Sequence, residues 1–145
     1  MNTIELAPSF EESRNVLSII VDGRPLREYF AGRLGGLPPR VSPFGWNSEA
    51  DIAAAKKLLL EAPADFVDGR YAILVCNECG DVGCGAYSAH IERSGSVIRW
   101  SDLGFQNNHE AQVETELCSG IATFEFLWSE YEKLFRSLIE RRLNR

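Results

Sequence analysis

Three of the four cysteines lie within nine positions, Cys76-Asn77-Glu78-Cys79-Gly80-Asp81-Val82-Gly83-Cys84, and Gly85 follows them. Cys-x2-Cys-Gly is the spacing of the thiolate knuckles in small zinc sites. There a tight turn presents two sulfurs to one side, and Gly adopts the backbone conformation that the turn demands. Cys84 offers a third soft ligand. A structural zinc site uses four ligands, however, and a second Cys-x2-Cys is absent. His90 lies six residues of strand beyond Cys84, roughly 20 Å at ~3.3 Å per residue, which makes it a poor fourth ligand. His109 and Cys118 reach the site only if the tertiary fold carries them there. The other chemistry open to clustered thiols is redox cycling, which needs an accessible, activated thiolate. Glu78 and Asp81 sit in the same loop, and their fields oppose thiolate formation. Gly80, Gly83 and Gly85 also describe a loop between strands, whereas a thioredoxin motif sits at a helix N-terminus. The expectation is that Cys76 and Cys84 act as small apolar residues at strand ends and that the purified protein holds no stoichiometric zinc. The alternative is a zinc-binding or thiol-redox protein using Cys76, Cys79 and Cys84.

Other catalytic chemistry has little to work with. The chain has two histidines, His90 and His109, and neither lies in a nucleophile, metal or phosphate-loop motif. Asp102 and His109 have the chemistry of an acid/base pair, but seven residues of separation do not bring them into contact.

Charge is more informative. The net charge of −6 conceals a division: residues 58–132 carry 13 acidic and 3 basic residues, the remainder 8 acidic and 12 basic. No Lys or Arg occurs between Arg99 and Lys133, a stretch containing Asp102, Glu110, Glu114 and Glu116. Such a surface repels nucleic acid and suits a basic protein partner, with association that is fast and sensitive to salt. The leading expectation is a non-enzymatic acidic protein-binding module, most concretely a bacterial toxin-neutralising (immunity) protein. Its partner contacts would be Asp102, Glu110, Glu114 and Glu116. No apolar run approaches the ~18 residues of a membrane span, and the first residues lack a basic start followed by an apolar region, so a cytoplasmic location is expected.

The elements that must position these groups follow from periodicity. Thr3 to Leu6 and Val16 to Val21 favour strands, the second ending at the turn dipeptide Asp22-Gly23. Leu26, Phe30 and Leu34 have helical spacing, stopped by the Gly and Pro residues from Gly35 to Pro39. The stretch to Asn47 is a loop anchored by Phe44 and Trp46. Asn47 or Ser48 caps a helix from Glu49 to Glu61. Tyr71-Ala72-Ile73-Leu74-Val75 is a continuous apolar strand, buried on both faces, that runs directly into Cys76. Ala86 to Arg93 and Ser96 to Asp102 flank Ser94-Gly95 as a hairpin, with Tyr87, Ala89, Ile91, Ile98, Trp100 and Asp102 on one face. Residues 104–122 have no clear period, and Thr123 to Phe126 alternate as a last strand. Trp128, Tyr131, Phe135, Leu138, Ile139 and Leu143 stripe one side of a C-terminal helix whose early Glu and late Arg residues match its dipole. The resulting class is α+β: a single domain over residues 1–145, a mainly antiparallel sheet packed by helices, the last of them long and amphipathic. At this length a chain buries roughly 68–70% of its unfolded surface, so neither a metal nor a disulfide is required for folding.

The cysteine loop, then Ile98-Arg99-Trp100-Ser101-Asp102-Leu103-Gly104-Phe105-Gln106-Asn107-Asn108, then the stretch from Phe124 to Tyr131, resembles a family of small uncharacterised bacterial proteins. Its pattern is C-x-E-C-G-D-x-G-C-G, a W-S-D-x-G loop with two asparagines, and a C-terminal aromatic helix. The resemblance covers roughly residues 70–140 and implies no established reaction. Some relatives are loosely called oxidoreductases, but this sequence has no dinucleotide fingerprint.

Overall fold

The computed structural model describes residues 1–30, 40–107 and 113–144. In chain order the elements are β1 (Ile4–Glu11), β2 (Arg14–Val21), β3 (Arg24–Pro25), a 3-10 turn (Leu26–Tyr29), β4 (Arg40–Val41), α1 (Ser48–Leu58), β5 (Tyr71–Cys76), a 3-10 turn (Val82–Cys84), β6 (Ala86–Ser94), β7 (Val97–Gln106), a 3-10 turn (Glu116–Cys118), β8 (Phe124–Leu127) and α2 (Trp128–Leu143). The named strands pair antiparallel throughout, and an isolated parallel bridge joins Asn2 to Phe126. β1-β2-β3 form one sheet and β4-β5-β6-β7-β8 the other. The expected α+β architecture is what the chain adopts.

Local chemistry accounts for the turns. Glu12 and Ser13 both take positive φ between β1 and β2, as do Asp22 and Gly23 between β2 and β3, the two-residue geometry that matches the twist of paired strands. The second of these is the turn read at Asp22-Gly23, while the first strand runs on to Glu11, five residues past its expected end. The 3-10 turn at Leu26–Tyr29 replaces the start of the helix expected from Leu26, and the rest of that helix lies outside the described residues. α1 begins as read, with the Asn47 side chain accepting the Ala50 amide at 2.8 Å, and stops at Leu58, three residues short of the expected end.

α2 occupies the expected range and buries Tyr131, Phe135 and Leu138. Trp128 and Ile139 pack only partly against the core, and Leu143, placed on the apolar stripe, is exposed. Trp128 instead stacks beneath the Arg93 guanidinium, 4.2 Å from the ring centroid. Tyr131 links the layers: its hydroxyl donates to Leu58 O at 2.7 Å in α1 and accepts from Trp100 Nε1 at 3.2 Å in β7. The large core joins Ile19 and Val21 of β2, Ile73 and Leu74 of β5, Trp100 of β7, and both helices. A smaller cluster of Phe66, Ala72, Val75 and Ala86, backed by Trp46 and Val82, lies apart from it.

The β6–β7 hairpin turns at Gly95-Ser96, and Ser94 pairs with Val97 where Arg93 with Ser96 had been expected. A shift of two preserves which face each residue occupies. That holds until Asp102. Between the pairs His90–Ser101 and Ser88–Gly104, Ala89 stands opposite both Asp102 and Leu103, and Asp102 takes a φ of 52°. This bulge turns Leu103 into the core and leaves the Asp102 side chain 57% exposed, so Asp102 does not share the apolar face assigned to it. Among the described residues no helix is long and apolar enough to cross a membrane.

Candidate functional site

β5 delivers Cys76 to the end of the sheet, where it pairs with Arg40 of β4. The chain then folds back at once: Gly80 N donates to Cys76 O at 2.9 Å, and Gly80 takes a φ of 70° with its α-carbon beneath the Trp46 ring. A Cβ there would stand 3.3 Å from that ring, in a backbone region that strains any side chain. The Asp81 carboxylate accepts the Gly83 amide at 2.9 Å and starts the 3-10 turn that carries Cys84 back over the knuckle. Gly85, at a φ of 96°, lets the chain enter β6. A Cβ there would approach Phe105 Cζ to 2.6 Å.

The result is convergence. The sulfurs of Cys76, Cys79 and Cys84 all lie within 4.8 Å of one another, and those of Cys79 and Cys84 are 3.0 Å apart. Cys76 is 9% exposed at the base, while Cys79 and Cys84 are exposed at the rim. Burial opposes ionisation of Cys76, but hydrogen bonds from the amides of Glu78 and Cys79 and from the neighbouring thiols outweigh it and lower its pKa. Cys84 moves the other way: its hydrogen bond to Cys79 first, then burial and the charge of the adjacent sulfurs, push it up to about 11. Within one hydrogen-bonded group, Cys76 and Cys84 are thus shifted in opposite directions.

Two arginines from elsewhere in the chain brace this loop. Arg40, 5% exposed, donates from Nε to Gly85 O and from Nη2 to Cys84 O, each at 2.7 Å. Arg14 of β2 donates to Asn77 O at 2.9 Å while stacking 3.8 Å from the Trp46 ring centroid. Glu78 and Asp81 weighed against thiolate in the sequence. In the fold Asp81 is engaged by an amide and two guanidinium groups face the loop carbonyls. Neither Arg14 nor Arg40 carries a local motif that would have identified it.

The donor set suits a soft cation. Tetrahedral thiolate bonds of ~2.3 Å place sulfurs ~3.8 Å apart; the Cys79–Cys84 pair, at 3.0 Å, is closer than that, and all three sulfurs lie within 4.8 Å of one another, so small side-chain rotations suffice. Cys118 is not a fourth ligand, because it is buried in the large core and does not belong to the sulfur group. His90 lies 3.7 Å from Asp102 and is likewise outside the group. His109 lies outside the described residues. Among the described residues the group thus offers three thiols, and a tetrahedral cation held by them would keep one position for an exogenous ligand.

The acidic residues are disposed differently. Asp102 is bound by Arg70, which is 1% exposed. Its guanidinium meets Asp102 Oδ2, Ser88 Oγ and Gln106 Oε1, each at 3.0 Å, and also donates to the main-chain oxygens of Ser88 and Asp102. Asp102 therefore compensates a buried cation and secures the bulge. Glu114 is exposed, its main chain paired with Phe105 and its carboxylate accepting the Glu116 amide at 2.9 Å. Glu116 is exposed at the start of its 3-10 turn, and Glu110 lies outside the described residues.

A cleft of about 380 Å³ opens beside the cysteine loop, between Cys79, Gly80, Asp81 and Val82 on one side and the alanine-lined face of α1 on the other. Lys57 and Asp65 line it as an ion pair at 2.7 Å. No protein-family model, no curated protein and no solved structure matches the chain.

Proposed function

We propose that the protein binds one soft divalent cation, zinc in the first instance, through the thiolates of Cys76, Cys79 and Cys84, with a fourth position open. The observation that supports this reading is the convergence of three sulfurs within 4.8 Å at the end of a rigid strand, held by amides and by Arg14 and Arg40. Soft thiolates select zinc or copper(I) over magnesium or calcium. A cation replaces the thiol protons, and the amides donating to Cys76 orient its sulfur as outer-shell donors do in metal sites.

This ordering reverses the expectation of an acidic partner-binding module without stoichiometric zinc. The acidic reading drew on Asp102, Glu110, Glu114 and Glu116. With Asp102 engaged by Arg70, fewer of those charges are available to a basic partner such as a nuclease toxin. The test is elemental analysis of untagged protein after incubation with zinc and gel filtration. One equivalent is expected, lost in Cys76→Ser, Cys79→Ser and Cys84→Ser and kept in Cys118→Ala. Protein without metal, or metal retained in all three serine variants, would refute the assignment.

A further inference from the structure

The cleft and the sulfur cluster share a residue. Cys79 contributes to both, so a molecule seated in the cleft lies beside one of the three proposed metal ligands. The volume of about 380 Å³ is within the range of small-molecule sites. Its shape follows from the sequence of α1: Ala50, Ala53 and Ala54 present methyl groups where longer side chains would fill the space. Trp46 supplies an aromatic wall, fixed by its Nε1 bond to Ser42 O at 3.0 Å and by Arg14 stacking.

The cleft also has a polar element. Asp65 is nearly buried, accepts the Ala72 amide with Oδ2 at 2.8 Å and holds Lys57 with Oδ1 at 2.7 Å. Both Asp65 oxygens are thus engaged, whereas the Lys57 ammonium has three donors, of which Asp65 takes one. Lys57 is 35% exposed on the cleft wall, positioned to donate to an acceptor on a ligand. The cleft therefore places a thiol edge at Cys79, small apolar walls, the carboxylates of Asp65 and Asp81 and an ammonium donor around one volume.

We infer that this cleft binds a low-molecular-weight thiol bearing a carboxylate, with its sulfur as the fourth metal ligand and its carboxylate at Lys57. The inference rests on the metal reading above. On binding, the thiol releases its proton to solvent, its sulfur displaces a metal-bound water, and no electrons are transferred. A thiolate matches the three proposed ligands in softness, and the carboxylate would meet Lys57, the ammonium among the described residues lining the cleft.

Cobalt(II) in place of zinc makes both readings visible, because its visible bands report coordination number and thiolate count. The full-length cobalt protein would be titrated with N-acetylcysteine, N-acetylcysteinamide and N-acetylalanine. N-acetylcysteine is expected to shift the bands toward a four-thiolate pattern and intensify sulfur-to-metal charge transfer, while N-acetylalanine leaves them unchanged. The amide is expected to bind about threefold to fivefold more weakly, the range of one partly exposed ion pair. That preference should vanish in Lys57→Met. Ala53→Phe, which fills the cleft from an exposed helix position, should abolish the response to both thiols while still taking up cobalt. A tetrahedral cobalt spectrum that no thiol alters, equal affinity for acid and amide, or loss of cobalt from the protein to the added thiol each overturns the cleft assignment alone. Failure to take up cobalt overturns the metal reading as well.

Discussion

At the scale of single residues, the proposed site depends on side chains that would not themselves be ligands. Arg40 holds the two carbonyls on either side of the Cys84–Gly85 bond, so its loss frees the segment that places the third sulfur. Arg40→Met is expected to weaken zinc binding by about 10–100-fold, the usual cost of removing an outer-shell support. Competition with a chromophoric chelator measures this, and thermal melting checks that the variant is folded. An unchanged affinity would show that the loop holds its shape without the arginine. Proton linkage gives a second expectation. Hydrogen bonding to Cys79, then burial and the adjacent sulfurs, push the Cys84 thiol up to about 11, so at neutral pH it carries a proton that a cation must displace. Because the cation and the proton compete, affinity rises with pH. Between about pH 6 and pH 8 it should climb at least tenfold per unit, the slope of one displaced proton. A flat profile would remove the thiols from the ligand set. In the metal-free protein the raised Cys84 value favours the fold while the thiol is protonated, and that contribution is lost as pH rises through about 11.

At the scale of elements, the two helices are joined by groups of opposite character. Phe135 is fully buried against Phe44 and Tyr131, and Phe135→Ala should cost about 3–5 kcal/mol in denaturant titration. A loss below about 1 kcal/mol would contradict its place in the core. Asp51, 1% exposed in α1, accepts the amides of Gly45 and Trp46 and the Arg142 Nε at 2.8 Å from the end of α2. Removing one partner leaves a buried charge uncompensated, so Asp51→Ala should cost about 3–5 kcal/mol. Combining it with Arg142→Ala should cost clearly less than the sum, and strict additivity would show that the pair is not coupled. These elements also show what was legible beforehand. α2 was readable to its boundaries because a stripe of large apolar residues repeats over four turns, and the turn at Cys76-x2-Cys79-Gly80 was readable because its spacing is local. The hairpin turn was misplaced by one residue, since Gly95 fits either the first or the second turn position. The bulge at Asp102 had no local sign: it is stabilised by Arg70, 32 residues earlier. Arg14 and Arg40 were missed for the same reason, as they act on the cysteine loop from 63 and 44 residues away.

At the scale of the whole molecule, the position of the cysteine loop relative to the cores decides how binding of a cation by its sulfurs would couple to folding. The large core that joins both sheets and both helices contains none of Cys76, Cys79 and Cys84. Trp46 and Val82, which adjoin the loop, pack against the small cluster of Phe66, Ala72, Val75 and Ala86. A zinc finger has no core without its metal and unfolds when the metal is removed; here the main core is built from other residues. Yet the loop is tied to β2 through Arg14, to β4 through Arg40 and to β5 and β6 by the chain itself, so a cation there binds only when those strands are together. A ligand confined to the native state adds about 4 kcal/mol when its free concentration exceeds the dissociation constant by about a thousandfold. For a chain of this size that corresponds to a rise in Tm of about 8–16 °C. Adding a chelator to the zinc-loaded protein should therefore lower the melting temperature by that order while far-UV circular dichroism at room temperature and the cooperativity of unfolding remain. Collapse of the dichroism spectrum on chelation would mean that the metal organises the main core. A melting temperature that ignores zinc and chelator alike would mean that the three sulfurs do not hold a cation in the folded protein.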